Sequence, residues 1–502
     1  MARLTNRGAP TPPIERTGAG IRLTGPRAVV DDGFVERLRQ RCSGVDTDEE
    51  SLAEHGRDWW PLAMAWAGEG DVPAQPSVVA RPASAVEVAG VLALCNEAAV
   101  PVTPTAGRSG VCGSSVPVFG GVALDMCGLA GVESVDRESL LLDVRPGTFG
   151  DILEDELREL HGVTLGHWPQ SIALSTVGGW LACRGAGQYS TRYGKIEDMV
   201  AGLEVVLADG SVVRTGWQAP RSATGPDLTQ LFVGSEGTLG VISRALLRVH
   251  PAPVSEWRAA YGFPSFAEGL DACRRIVQRW ATPAVLRLYD AVESKRSLDV
   301  DGHHVLVVLD EGDPVTVDTS AAVVASECDG AGTVLDSALV DRWLEHRNDT
   351  SALQSLIQHG IVVDTTEVAA RWAALPAMYD AGMAAASAVD GVLAVSAHQS
   401  HAYLDGACIY FTWAGRRPDG PAGWRDDLYR EVWDAVTGAV LSHGGALSHH
   451  HGVGINRARF MRAALGGGMD VLAALKRALD PNGILNPGKL GLDSPWGRSP
   501  WP

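Results

Sequence analysis

The chain has 502 residues, 45% hydrophobic and 20% charged, enough for two or three packed domains of ordinary globular composition. A formal charge of -18 argues against nucleic acid or anionic membrane as a general partner, because both would repel the surface. Eight scattered cysteines form no C-x-x-C pair, which argues against a zinc site or disulfide scaffold and predicts a reduced, cytoplasmic thiol set.

Residues 1–27, rich in Pro, Gly and Arg, lack the apolar stretch of a secretory signal and read as a loose arm opening an N-terminal segment, 1–72. No apolar run reaches the ~20 residues that span a bilayer. From Pro76 an α/β pattern begins: Val78, Val79 and Ala80 predict a strand, Ser84 and Glu87 a capping box opening a helix through Ala99, and residues 100–103 the next strand. Strands follow at 122–124 and 140–142, and Phe149, Ile152, Leu153, Leu157 and Leu160 recur at helical spacing before Gly162. Asp209-Gly210 between two apolar runs, 203–207 and 212–215, predicts a hairpin. These elements describe one α+β domain, 73–254.

A second α/β unit, 255–440, opens with a capping box at Ser265 and Glu268, with strands predicted at 285–289 and 305–309. Cys408-Ile409-Tyr410-Phe411 predicts a further strand and residues 424–442 a helix. The last segment, 441–502, carries His449-His450-His451 before Gly452, then a helix at 472–479 stopped by Pro481, then an Asn486-Pro487-Gly488 turn. Three consecutive imidazoles can exchange protons near neutral pH or bind a metal; on an extended strand they would alternate faces and could not share one ion.

No strand-turn-helix G-x-G-x-x-G occurs, so a Rossmann site is unsupported. Three Gly/Ser/Thr loops stand instead in the first domain. Pro104-Thr105-Ala106-Gly107-Arg108-Ser109-Gly110 lies between two predicted strands, where free backbone N–H groups make a nest for a pyrophosphate and glycine removes the Cβ that would block it. A surface turn is the plain alternative for this loop alone. The others contain Ser175-Thr176-Val177-Gly178-Gly179-Trp180 and Gly234-Ser235-Glu236-Gly237-Thr238-Leu239-Gly240-Val241-Ile242.

In this order the three segments resemble the FAD domain of the vanillyl-alcohol oxidase (PCMH-type) superfamily, and within it the alkyldihydroxyacetonephosphate synthases, ether-lipid flavoenzymes. Tyr193-Gly194-Lys195-Ile196-Glu197-Asp198, Gly225-Pro226-Asp227, Ala407-Cys408-Ile409-Tyr410-Phe411 and residues 447–454 carry the resemblance further, over about 76–490. It implies an α+β fold with a two-subdomain FAD-binding domain, an α/β cap and a C-terminal helical segment returning to the FAD domain. FAD, held noncovalently, would be lined by Pro104 to Gly110, by Gln170-Ser171-Ile172-Ala173-Leu174-Ser175-Thr176, by Cys183-Arg184-Gly185-Ala186 and by Glu236 to Ile242. Cys112 leaves a thioether formally open, with an inert buried thiol as the alternative.

The resemblance also implies that Tyr410 is the active-site acid, with His449, His450 and His451 supporting it and Arg221 matching an arginine that matters in the family. Neighbouring imidazolium groups would lower the phenol's pKa and relay its proton. No bound metal is expected. The reaction implied is flavin-mediated chemistry at a carbon next to a carbonyl or hydroxyl; the competing reading is a FAD-dependent 2-hydroxyacid dehydrogenase or oxidase, whose relatives carry Glu-His-Gly where this chain has His450-His451-Gly452. The substrate is a small molecule, lipid-like or a 2-hydroxyacid, and a homodimer is the assembly to test. Two departures bear on the substrate. Residues 349–370 contain no Arg or Lys where the synthases bind an anion, leaving Arg347 as the substitute and His398 at another basic position. Residues 291–304 are short and polar where the synthases have an apolar insertion, which argues against delivery of a fatty chain from a membrane.

Overall fold

The computed structural model describes residues 20–217, 219–349 and 351–501; most of the expected N-terminal arm lies outside them. The architecture is α+β. A four-stranded sheet runs in the order Gly44–Asp46, Val78–Arg81, Val122–Asp125, Val102–Thr105, the last three parallel. The helix Ala85–Ala98 connects two of them, capped by Ser84, whose Oγ accepts from Glu87 N–H at 3.2 Å. Only half of the capping box forms, because the Glu87 carboxylate turns to the N–H groups of Ala83 and Ser43. The strand expected at 100–103 begins two residues later for a local reason: Val100 N–H closes the helix end on Cys95 O at 2.9 Å, and Pro101 has no N–H to give a ladder.

Beside it stands a five-stranded antiparallel sheet, ordered Val212–Thr215, Val200–Val206, Val241–Arg248, Leu141–Val144, Val132–Asp136. Its hairpin closes at Asp209-Gly210 with Gly210 at φ 83°, the left-handed conformation that glycine tolerates. The segment read as one helix before Gly162 is Gly150–Glu156 followed by a wide π turn, Leu157–His161.

The cap is a seven-stranded antiparallel sheet ordered Thr333–Leu335, Ser255–Phe263, His304–Gly312, Val285–Tyr289, Val392–Ala402, Gly406–Gly415, Val362–Arg371. Helices that include Leu375–Ser387 and Trp424–Ser442 cover one face. Strand alternation sorts the Gly406–Gly415 side chains: Ile409, Phe411 and Trp413 enter the core under the helices, while Tyr410, Thr412 and Ala414 stay half-buried on the other side.

Two segments far apart in sequence, around Trp60 and around Ile484, tie the units together. Ile484 O accepts from Val102 N–H at 2.8 Å and Asn486 N–H donates to Val102 O at 2.7 Å, adding the C-terminal segment to the edge of the four-stranded sheet. Trp60, before the helix Pro61–Gly68, donates its indole N–H to Tyr429 Oη at 2.8 Å under the cap. Among the described residues no helix is long and apolar enough to cross a membrane.

Candidate active site

Between the three glycine loops and the uncovered face of the cap sheet lies a cavity of about 670 Å³. All seven residues from Pro104 to Gly110 line it, and among the described residues the N–H groups of Gly107, Ser109 and Gly110 have no acceptor. The loops are interlocked through their glycines: a Cβ on Gly107 would collide with Leu174 O, and one on Gly237, at φ 72°, would press Pro104 at 2.9 Å. Gln170, Ser171, Ser175 and Thr176 line the cavity, and Thr176 caps the helix Val177–Cys183 by accepting from Gly179 N–H. Cys183, Gly185 and Ala186 add to this wall, as do Glu236, Gly237, Gly240, Val241 and Ile242.

Six residues expected on the cofactor wall face elsewhere. Ile172 and Leu239 are buried off the lining, Leu174 offers only its carbonyl to the neighbouring loop, and Ala173 is exposed. Thr238 bonds Ser235 O, and Arg184, exposed at φ 62°, pairs with Glu197.

The opposite wall is organised by Glu367, a fully buried carboxylate on Val362–Arg371 that is paired in register with Tyr410. Its oxygens accept from Ser448 Oγ (2.6 Å), His449 N–H (2.6 Å), His450 N–H (3.3 Å) and His451 N–H (2.8 Å), and Arg457 lies at 3.1 Å. Consecutive amides wrapped around one anion form a nest, which fixes the turn and lets three adjacent imidazoles point in different directions. The side chain of Glu236 holds the next residues in the same way, accepting from Val453 N–H at 2.6 Å and Gly454 N–H at 2.9 Å.

Tyr410 Oη meets His450 Nε2 at 2.6 Å. His450 Nδ1 meets His449 Nδ1 at 2.9 Å, and His449 lies behind it, off the cavity lining. His451 lines the cavity with its Nδ1 buried, 3.8 Å from Glu367 and without a hydrogen-bond partner among the described residues. On the other side of Tyr410, His398 stacks on the phenol ring at 4.5 Å and is held between Arg287 (2.6 Å) and Glu293 (3.0 Å). Ring nitrogens of His401, His449 and His450 come within 4.8 Å of one another, a spacing that could hold a metal ion.

Residues 76–216 match the family model "FAD binding domain", and residues 253–490 match "FAD linked oxidases, C-terminal domain". An uncharacterized FAD-linked oxidoreductase of Escherichia coli, YgcU, is 31% identical, covering 91% of this chain and 98% of that protein. The chain belongs to the FAD-linked oxidases. Alkyldihydroxyacetonephosphate synthase of Dictyostelium discoideum is 32% identical over 84% of this chain and 74% of its own, and glycolate oxidase subunit GlcD of Bacillus subtilis is 28% identical over 91% and 96%. A solved alkyldihydroxyacetonephosphate synthase superposes with a TM-score of 0.77 at 26% identity, covering 96% of this chain and 89% of that one.

FAD is therefore the cofactor of this FAD-linked oxidase, and the wall fits it. Open N–H groups on a glycine loop suit a pyrophosphate, and Thr105 Oγ1 and Gln188 Oε1 are buried on the lining without partners among the described residues. Cys112 is buried off the lining, and burial pushes its thiol up, away from a reactive thiolate.

Electrostatics correct the expectation of imidazolium groups beside Tyr410. Burial drives His449 and His450 well below the usual imidazole range and His451 down to about 4, so all three are neutral at neutral pH. Burial likewise pushes Tyr410 well above its ordinary value. The site is a neutral phenol on neutral imidazoles, able to pass a proton and unable to store one. Glu367 behaves oppositely: burial works against its charge, but Arg457 and the donors around it hold it below the usual carboxylate range.

Two arginines are not where the sequence placed them. Arg221 is exposed at φ 54° on a loop that does not line the cavity, so the structure does not bring it to Tyr410. Arg347 is held over the rings of Trp168, Tyr189 and Trp343, also off the lining. Arg287 and Arg296 reach the cavity instead, beside Glu293. Arg287 carried a readable signal, as the one charge in the apolar strand Val285–Tyr289. For Glu367 and His401 the sequence offered none, since their partners are far along the chain.

Proposed function

We propose that this FAD-linked oxidase carries out synthase-like chemistry at a carbon next to a carbonyl or hydroxyl, with Tyr410 as the acid–base group and the histidine turn managing its proton. The observation that carries this reading is the 2.6 Å hydrogen bond from Tyr410 to His450 on a cavity whose other wall is the flavin loops. A phenol held there can give a proton to a substrate atom and recover it from the imidazole behind. FAD, held by the glycine loops, would supply an electron-accepting ring to this cavity. Arg287 and Arg296 suit an anionic group, phosphate or carboxylate, at the cap end. Acyl-dihydroxyacetone phosphate, with a fatty acid leaving and a fatty alcohol entering, is the substrate pair proposed, with no net redox change.

The grouping of His401, His449 and His450 favours a second reading, a 2-hydroxyacid dehydrogenase or oxidase with a divalent metal. One experiment separates them. The purified holoenzyme is mixed anaerobically with acyl-dihydroxyacetone phosphate and a long-chain alcohol, or with glycolate or D-lactate. Acyl-to-alkyl exchange without lasting flavin bleaching is expected. Lasting bleaching by a hydroxyacid, with electrons recovered on an added acceptor, would replace the synthase reading by the dehydrogenase.

A further inference from the structure

The Tyr410–His450 hydrogen bond is one link of a longer chain. His449 Nε2 meets Tyr403 Oη at 3.0 Å, Tyr403 Oη meets Ser190 Oγ at 3.1 Å, and Ser190 Oγ meets His401 Nδ1 at 2.7 Å. Five hydrogen bonds thus join six groups in a row: Tyr410, His450, His449, Tyr403, Ser190, His401. The first and last both line the cavity, whereas His449, Tyr403 and Ser190 do not, so the row leaves the cavity wall and returns to it. His401 Nε2, at the returning end, has no partner among the described residues.

His401 is held there at a local cost. It sits at φ 55°, a left-handed conformation disfavoured for a non-glycine residue, where the register of Val392–Ala402 shifts between Ser400 and Ala402. The bulge aims its ring at Ser190, on the short flavin-side helix Ser190–Tyr193, and the row therefore bridges the two halves of the molecule.

Extending the proposed function, we infer that this row is a closed proton circuit in which His401 and Tyr410 are its two ends and Tyr403 and Ser190 its positioning residues. The donors and acceptors balance in both directions. In one state His401 Nδ1–H donates to Ser190, Ser190 to Tyr403, Tyr403 to His449 Nε2, His449 Nδ1–H to His450 Nδ1, and His450 Nε2–H to Tyr410, whose own O–H faces the cavity. A proton taken from the substrate by His401 Nε2 moves each link one step onward and releases a proton from Tyr410 Oη. Every group is neutral before and after, and the row is left oriented the opposite way, ready for the reverse passage. Lys195, bonded to His449 O at 2.6 Å, together with Arg287, His398, His451 and Glu367, surrounds the row without interrupting it.

Tyr403→Phe and Ser190→Ala each remove one oxygen from the row and none from the cavity lining. In holoenzyme assayed with acyl-dihydroxyacetone phosphate and hexadecanol, both variants are expected to lose on the order of 100-fold in kcat, with KM and flavin content within about twofold of wild type. The wild-type rate should bow downward against the deuterium fraction of the solvent, as several protons move together, and become linear in both variants. Independently of any substrate, nitrogen-15 histidine spectra should show the Nδ1 and Nε2 shifts of His450 changing in both, although neither variant touches His450. Unchanged His450 shifts, or a kcat within about twofold and a dependence still bowed, would overturn the circuit. If wild type turns over neither substrate class, the function reading falls, and the nitrogen shifts still decide the circuit.

Discussion

On the flavin wall of the cavity, recognition rests on backbone: open N–H groups, a glycine interlock between loops, and strand ends that place them. On the cap wall it rests on side chains, with one buried carboxylate folding the histidine turn and imidazoles meeting a phenol from a separate strand. The first kind of wall leaves no room for added bulk at Gly107 and Gly237; the second depends on single side-chain atoms. Under the proposed function, binding falls to the first wall and chemistry to the second, and substitutions should separate them.

The largest effect is expected at the hinge of the cap wall. Glu367→Ala removes the acceptor of four donors and leaves Arg457 buried without its counter-charge, which should cost about 3–5 kcal/mol of stability and abolish turnover. Thermal unfolding of the holoenzyme measures it, and a loss below about 1 kcal/mol would mean that the turn holds itself together.

Tyr410→Phe should come next, lowering turnover by roughly 10² to 10⁴ with flavin content intact, since only the proton is lost. A variant as fast as wild type would remove Tyr410 from the chemistry.

A pH titration probes the same wall without changing turnover. His451, at about 4 when folded, compares with about 6.5 in an unfolded chain, so below pH 6.5 the unfolded state binds the extra proton. Its contribution to stability is therefore full above pH 6.5 and falls away as the pH drops toward 4, by at most about 3 kcal/mol. Asp364, raised by burial to about 6, works in the other direction between its unfolded and folded values, so the comparison is made against His451→Gln, in which the decline should flatten. Equal slopes in both proteins would contradict the assignment.

On the flavin wall, Gly107→Ala drives a Cβ into Leu174 O, an overpacking of about 1–3 kcal/mol that should appear as roughly tenfold or more weaker FAD binding. Fluorescence titration of the apoprotein reads it, and unaltered affinity would show that the interlock is not needed. The smallest effect is expected from Arg221→Ala: exposed and off the lining, it should shift stability by no more than about 0.5 kcal/mol and leave turnover within twofold. A hundredfold loss would show that its loop reaches the substrate.

Much of this was legible in the sequence, for local reasons. Strand Val285–Tyr289 and helix Trp424–Ser442 begin and end where their patterns predict, because apolar periodicity and boundary residues are local properties. The glycine loops were legible too, and the structure brings all three to one wall of the cavity. Where local signals competed, as at Val100 and Pro101 or in the π turn before Gly162, boundaries moved by a few residues.

What the sequence determined by itself was a PCMH-type FAD-binding chain, with three glycine loops as candidate cofactor contacts and Tyr410 and three histidines as candidate site residues. Their charge state, their order in a hydrogen-bonded row, the role of Glu367 and the replacement of Arg221 and Arg347 by Arg287 and Arg296 were decided only by the tertiary structure. The physical reason is that these properties come from burial and from contacts between residues tens to hundreds of positions apart, such as Ser190 with His401 and Lys195 with His449. Burial, with Lys195 and Arg457 nearby, holds the three histidines below the imidazole range, where the sequence predicts imidazolium groups.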